Sequence, residues 1–473
     1  MRIPIHLPKL ERRPELDALR GLFLVWMTVT HLPTRYSDLV NQPLGFISSA
    51  EGFVFVSALL IGRLYLRDLI RDPAGVRAKL WKRSLKIYGY HLLMLSLAFT
   101  VIAEIAIHTH KAALTNLLSF YLAHPVVAIA GSVLLIYCPP LLDILPMYVT
   151  FLFLTPLVLS AAARFGWKWI LTASGTLWLL AQFGLRDVVH NWVVHITHLQ
   201  IPLQETGSFN LFAWQAIWVV GIWLGVTSAV GKTPLDRVPG WLAATSCAVC
   251  VFFIGVRFGW LGPHLTPQSL GVNLDKWQIG PLRVLNLIAF TLCVYWIRKY
   301  LLKFIAIEPF LTLGKASLHV FCAHIVFVFA GLTMLYGDLN ADGLDQLHGI
   351  PAIALLLCTF ASLLWLASNE VRKKHAEKEK RKARELELRD GAEPPAELAR
   401  SSNRSGRDPA SGSGQIHTTF AIYLPQCSNL FTIPCGPKQL KSNGRRARGR
   451  PVEPIHFCAG RRTRHFAPGA TSS

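Results

Sequence analysis

Charge is scarce in this chain: Asp, Glu, Lys and Arg make up 16% of its 473 residues, whereas 52% are apolar. A soluble fold of this length cannot hide that much apolar surface, because its exterior has to stay largely polar. Polar faces at helical period, which a soluble helical core needs, are missing over most of 313–336 and 351–368. A large soluble helical protein is therefore excluded. Also missing are a soluble hydrolase triad, a phosphate-cradling glycine loop and a dinucleotide fingerprint. The nine cysteines give no disulfide framework: Cys247, Cys250, Cys293, Cys322 and Cys358 fall in apolar stretches and read as small packing residues. Cys247 and Cys250 have CxxC spacing, but no second pair follows, so the sequence calls for no metal.

Acidic residues are outnumbered by basic ones, 27 to 48, for a net charge of +21. Nucleic-acid binding needs those cations clustered on an exposed surface. Here they sit in short loops between apolar stretches and in the C-terminal tail, so no nucleic-acid partner is expected. In those positions they orient a membrane protein and touch anionic lipid. No cleavable signal peptide is expected, because the first apolar stretch has no small-residue cleavage site.

Hydropathy marks eleven apolar candidates, near 16–32, 48–66, 86–107, 114–137, 146–163, 168–184, 212–230, 241–260, 282–298, 313–336 and 350–368. About 20 residues of helix cross the roughly 30 Å of hydrocarbon. Loop charge decides which candidates cross. Arg2, Lys9, Arg12 and Arg13 place the N-terminus in the cytoplasm, and the loop from Arg63 to Lys86 carries eight Lys or Arg. If 114–137 crossed, every later basic loop would lie outside. If it stays on the periplasmic side, Arg164 with Lys168, Lys232 with Arg237, and Arg298 with Lys299 and Lys303 all become cytoplasmic. His124-Pro125 suits a bent or re-entrant segment there. The sequence thus predicts an all-α helix bundle with about ten transmembrane helices and both termini cytoplasmic in an inner membrane. Residues 1–370 form the membrane domain. In 371–473, a charged run over 372–389 reads as a short helix, followed by a basic tail that reads as disorder. No internal repeat is evident.

The first apolar stretch carries the candidate chemistry. It opens Glu15-Leu16-Asp17-Ala18-Leu19-Arg20-Gly21 and ends Thr30-His31-Leu32-Pro33. Eleven residues advance a helix by about 1100°, roughly 20° past three turns, so Arg20 and His31 share a face about 16 Å apart. Asp17 can pair with Arg20 from three residues away. Ionisable groups on one stripe of a spanning helix face the bundle interior or a watery path. Glu51 opens the second stretch at matching depth, where it could meet His31, raise its basicity and fix its tautomer for work as a general base. The competing reading makes Asp17 and Arg20 an interfacial pair, His31 an end-of-helix residue and Glu51 a helix N-terminal acid. Arg83, Lys86, Tyr88 and His91 open the third stretch and could hold donor phosphates, or serve as positive-inside anchors. His319 and His324 reach into the stretch at 313–336, either lining the path or bonded to nearby carbonyls. His190, His195 and His198 have no carboxylate at matching spacing and do not read as zinc ligands. Trp192, Trp260 and Trp277 could stack on sugar rings or belong to an aromatic belt.

The Leu-Asp-x-x-Arg-Gly opening, with His31 ten intervening residues after Arg20, resembles the acyltransferase-3 superfamily of bacterial membrane acyltransferases. More specifically it resembles the OpgC family, associated with succinyl transfer to osmoregulated periplasmic glucans. Glu51–Phe55, Tyr137–Tyr148 and Phe209–Gln215 support the resemblance, which covers roughly residues 10–370. It implies that His31 is the essential histidine, Arg20 its partner, and Arg83 with Lys86 the counterpart of a paired arginine. Two departures stand out: Thr30 precedes His31 where the family pattern expects an acid, and Lys86 replaces the second arginine, losing its bidentate fork. The expected enzyme takes an acyl group from a cytoplasmic acyl-CoA, its donor substrate, with no tightly bound cofactor, and places it on a periplasmic glycan hydroxyl. His31, Glu51, Arg20 and Asp17 are its catalytic candidates; Arg83, Lys86, His91 and His324 are its substrate-binding candidates. Two other readings remain at this level: a transporter or flippase with a polar path, and a non-catalytic scaffold.

Overall fold

The computed structural model describes residues 13–231, 238–335 and 346–390. Among them every named element is helical, and the only strand-like pairing is an isolated bridge between Thr34 and Leu347. The principal helices are α1 (Pro14–His31), α2 (Ser49–Arg71), α3 (Pro73–Thr109), α4 (Ile144–Phe165), α5 (Trp167–Gln182), α6 (Leu211–Val230), α7 (Gly240–Arg257), α8 (Pro281–Ile305), α9 (Glu308–Lys315), α10 (Ser317–Thr333) and α11 (Gly349–Asp390). The bundle end at which α1 starts is called the inner end, and the end at which it stops the outer end.

Six helices, α3, α4, α6, α7, α8 and α11, are long and apolar enough to cross a membrane. The pair α9 and α10, bent by 94°, makes a seventh if it counts as one broken span. The sequence reading of ten spans adds α1, α2 and α5. α1 carries Glu15, Asp17 and Arg20 in its 18 residues, and α5 has only 16 residues, which is why composition and length leave them out. Burial orders the bundle. In the most apolar window, 61% of α4 and 56% of α6 is buried, against 17% of α8, so α4 and α6 are central and α8 turns most of its surface outward.

The 114–137 stretch is broken into short helices, Ala112–Leu117, Ser119–Ala123 and Pro125–Val133. The longest has nine residues and rises only about 13 Å, well short of the roughly 30 Å core. His124 precedes Pro125, whose ring disfavours helical backbone just before it and so sets the last break. The α11 helix runs without interruption through the expected domain boundary at residue 370, carrying the charged run as a continuation of the last apolar helix. The expectation of a disordered tail falls on 391–473, outside the described residues. So do Arg2, Lys9, Arg12, Lys232 and Arg237, on which part of the orientation argument rests.

Two helix pairs meet backbone to backbone. A Cβ on Gly225 of α6 would collide with the Leu59 carbonyl of α2, and one on Gly62 of α2 would collide with the Ile222 carbonyl of α6. Ala58 and Gly62 on one helix, and Gly221 and Gly225 on the other, are two small-xxx-small pairs. Where no water drives helices together, such pairs allow the close approach that gives van der Waals contact. α1 meets α9 in the same way: Gly21 faces the Phe310 carbonyl, and Gly314 faces the Asp17 carbonyl. That contact sets the ionisable stripe of α1 against the α9–α10 break.

Gly225→Val therefore forces α2 and α6 apart. The expected cost is about 1–3 kcal/mol of folded stability, seen as a lower thermal midpoint in detergent. Gly89→Ala, where an added Cβ meets nothing within 4 Å, should be neutral.

Candidate functional site

At the inner end a cavity of about 260 Å³ opens between α1, α2, α3, α4 and the α9–α10 break. Arg20, Arg83, Lys86, Lys315 and Lys374 line it, together with Ala316, Ser317 and Leu318 at the start of α10. That start is the positive end of a 17-residue helix, so five cations and a helix dipole converge on one space. Its lining also includes Phe53 near the start of α2 and Ile144 at the start of α4, so it reaches from the inner cations toward the outer ends of those helices. Phe321 lines it as well. A second space of about 250 Å³ shares Arg20, Lys315 and Lys374 and adds Asp17 and Lys378, extending the basic surface toward the inner mouth.

Arg20 donates through Nη2 to Ser317 Oγ, and its guanidinium stands 5.7 Å from the centre of the Phe53 ring. Arg20 is thereby bonded across the helix break, with Asp17 contributing a favourable charge nearby. Its Nε is buried and makes no hydrogen bond among the described residues. Arg83 and Lys86 face the same cavity, as the sequence spacing suggested. His91 does not. It is completely buried on α3 and is not among the residues lining the cavity, so it is no contact for a ligand held there. The residue before it in the chain does face that way: Tyr90 Oη lies 2.8 Å from His319 Nε2, and His319 in turn lies 3.6 Å from Glu370 on α11. His319 lines the cavity, and so is a member of the site that the sequence only half indicated.

His31 and His324 meet deeper in the bundle. Their rings stack at 5.5 Å between centroids, with His31 Nδ1 3.3 Å from His324 Nε2. His324 Nδ1 lies 2.5 Å from the Phe321 carbonyl, an acceptor only, so Nδ1 carries the proton. His324 Nε2 is then left with a lone pair, which accepts from Nδ1–H of His31. The chain of bonds ends with a lone pair on His31 Nε2. That is the tautomer a general base needs. His324 is completely buried and is thus a positioning partner of His31 rather than a ligand contact. Phe321 packs edge-on to His324 at 4.9 Å and also lines the cavity, whereas neither His31 nor His324 is among the residues lining it.

Glu51 does not reach His31. Its Oε1 accepts from Arg283 Nε at 2.5 Å, and its Oε2 accepts from the Ser48 N–H at 2.7 Å and from the Ser48 hydroxyl. Both partners of the ion pair are at most 2% exposed. Arg283 also donates from Nη1 to the Leu274 carbonyl at 3.2 Å. The carboxylate is saturated by a structural pair that ties the start of α2 to the start of α8 and to the loop before it. Nothing local to Glu51 announces Arg283, which lies 232 residues away.

Lys276 comes from that same loop. Burial pulls its ammonium below the usual lysine range; Glu51 opposes the effect and Arg283 adds to it. It lies within electrostatic reach of His31, and its Nζ stands 4.5 Å from the centre of the Trp277 ring. The sequence reading missed Lys276 because a lone lysine in a loop carries no pattern. The remaining candidates lie elsewhere: His190 Nε2 bonds the Ile201 carbonyl at 2.8 Å, and Cys247 Sγ lies 3.3 Å from Cys293 Sγ on α8, not from Cys250.

A polar stripe on α1, a basic cavity beneath it and a histidine pair above it are placed by residues spread from 17 to 374. Residues 12–381 match the family described as OpgC protein. The chain belongs to the OpgC family. Membership makes it an acyltransferase-type enzyme in general terms, and the apolar helices of this OpgC-family chain make it a membrane protein. No curated protein and no solved structure matches it.

If the Glu51–Arg283 pair is structural, Glu51→Ala and Arg283→Ala should each cost about 3–5 kcal/mol, by leaving the partner charge buried alone. Glu51→Leu combined with Arg283→Leu should cost much less than the sum. Thermal midpoints in detergent check this; additive losses would separate the two residues.

Proposed function

We propose that this chain is an O-acyltransferase of the inner membrane, with both termini cytoplasmic, that moves the acyl group of acyl-CoA to a hydroxyl of a periplasmic glucan or similar glycan. Succinyl is the group the family resemblance suggests. The observation that carries the reading is the tautomer-fixed His31, whose free Nε2 follows from the bond chain through His324 to the Phe321 carbonyl. The basic cavity below it supports the donor side: phosphate-rich CoA suits five cations and a helix N-terminus.

In this mechanism the donor enters from the cytoplasm, and Arg83, Lys86 and Lys374 bind its phosphates. The thioester arm runs up the cavity past Phe321. His31 Nε2 takes the proton from the acceptor hydroxyl as its oxygen attacks the thioester carbonyl, forming the new C–O bond and a tetrahedral oxyanion. Collapse breaks the C–S bond, and the proton on His31 passes to the departing thiolate, so ester and free thiol leave with charge balanced. Lys276, within electrostatic reach of His31, supplies positive charge on the acceptor side as the oxyanion forms. Arg20 holds the start of α10, through Ser317, against the donor. Glu51 works at a distance, by fixing the loop that carries Lys276.

His31→Ala should lower acyl transfer by about 10²–10⁴-fold, the usual worth of a positioned base, at normal abundance. His324→Phe keeps the ring but removes the acceptor for His31 Nδ1–H, and should lower kcat by a smaller factor. Periplasmic glycans weighed with and without each variant give the readout. Full acylation in His31→Ala would sink the mechanism. A glycan delivered unmodified by the wild type would favour a transporter, to which the broken α9–α10 pair would also be suited.

The donor assignment has its own test. Arg83→Ala and Lys86→Ala should raise KM for acyl-CoA about tenfold or more while kcat falls less, because the lost contacts bind ground and transition states alike. Lys86→Arg should restore or tighten binding by adding the bidentate fork. A fall in kcat alone would place both residues elsewhere in the reaction.

A further inference from the structure

At the outer end a second, open cleft of about 290 Å³ lies between the segment 203–208, ahead of α6, and the loop 275–278, ahead of α8. Gln204, Asp275, Trp277 and Gln278 line it, with Arg186 and Ser208. The chemistry differs from that of the inner cavity. One indole, 38% exposed, is surrounded by amides, a carboxylate, a hydroxyl and the guanidinium of Arg186, which is bonded to Thr206 and to the Gly207 carbonyl. Planar polar groups that both donate and accept match paired sugar hydroxyls, and an aromatic surface suits the C–H face of a sugar ring. Its volume is at the small end of ligand sites, which run from about 300 to 1,000 Å³, so it suits one ring rather than a long segment.

The cleft is built rather than incidental. The Trp277 carbonyl accepts from the Asn210 N–H and from Trp214 Nε1, each at 3.1 Å. Gln278 accepts from Asn210 Nδ2 at 2.7 Å through its side chain and from Gln182 Nε2 at 2.8 Å through its carbonyl. Arg186 donates to Thr206 Oγ1 at 2.8 Å and to the Gly207 carbonyl, and Asp143 accepts from the Ser208 N–H at 3.0 Å. Both walls are therefore pinned to neighbouring helices. What remains unpaired faces the opening: Gln204 is exposed, and neither its amide nor Asp275 Oδ2 makes a hydrogen bond among the described residues.

The geometry points to this cleft as a sugar-ring subsite that holds the glycan acceptor, with Trp277 as the stacking platform and Gln204 and Asp275 as hydroxyl partners. Lys276 borders it, since its Nζ stands 4.5 Å from the centre of the Trp277 ring. The role of the subsite rests on the acyl-transfer reading; its ability to bind sugar does not.

The test separates the two. Full-length protein in detergent is titrated with short glucose oligosaccharides by calorimetry, and glycan acylation is followed in parallel. Wild type and His31→Ala should bind alike. Trp277→Ala and Gln204→Ala should bind about tenfold or more weakly, and Trp277→Phe should retain part of the affinity. In cells, Trp277→Ala and Gln204→Ala should raise the acceptor requirement without changing KM for acyl-CoA. Gln204 is exposed and makes no hydrogen bond among the described residues, so its variant keeps the fold even if that of Trp277 does not. Oligosaccharide that fails to bind wild type, or that binds the Gln204 and Trp277 variants as tightly, overturns the subsite. Lost binding in those variants together with normal acylation in His31→Ala would leave the subsite standing and remove the acyl-transfer mechanism.

Discussion

A carboxylate and a guanidinium that leave water together cannot afford to be parted, and the Glu51–Arg283 pair puts the outer half of this protein under that constraint. Removing either partner strands a charge, whereas the pair with its added hydrogen bonds is tolerable. Glu51 fixes the Ser48 turn into α2, and Arg283 holds the Leu274 carbonyl. The loop that follows Leu274 carries Lys276 and Trp277, and its position relative to His31 depends on a salt bridge that touches no substrate. A carboxylate placed beside His31 would have been easier to read as catalytic. Placed here, it fixes geometry, which transfer between two bound substrates needs most: misplacement by about 1 Å can cost two orders of magnitude in rate.

The inner half is governed by close approach. Gly21 and Gly314 let α1 and α9 touch backbone to backbone, so the broken α9–α10 pair can bring Ser317 within reach of Arg20. The break has a second effect. It turns the start of a helix into the cavity, where its dipole adds to the cations of α1, α3 and α11. Irregular backbone at this depth is tolerable only where it lines a cavity, and here it does.

How far the sequence could be read follows from where each signal is stored. Arg20 and His31 sharing a face is a property of one helix, and 3.6 residues per turn is enough to find it. The shared cavity of Arg83 and Lys86 was likewise visible in their spacing. The partners were not. Glu51 finds Arg283 and His31 finds His324, each more than 200 residues away, and no local period encodes such a meeting. The same holds for the limit on helix count. Loop charge argued for about ten spans, while length and composition pick out six or seven, because α1 spends its apolar character on the charges that make it useful. His91 misled for the opposite reason: its place near Lys86 suggested one surface, but five residues of helix turn it into the packed interior.

The two ends of the molecule differ in chemistry in a way that gives the proposed reaction a direction. The inner cavity is lined by five cations and suits a polyanion; the outer cleft is lined by amides, an indole and one cation balanced by one carboxylate, and suits a neutral sugar. Neither would serve the other ligand well, since a sugar gains little from five fixed cations and the outer cleft offers a polyanion one cation, Arg186, against the Asp275 carboxylate. Between them stand Phe321 and a histidine pair whose protons are ordered by one backbone carbonyl. If a carrier moved one substrate across, both ends would have to accept the same molecule in turn. Two unlike sites on either side of one base instead fit two substrates that approach from opposite sides and exchange a single group where they meet.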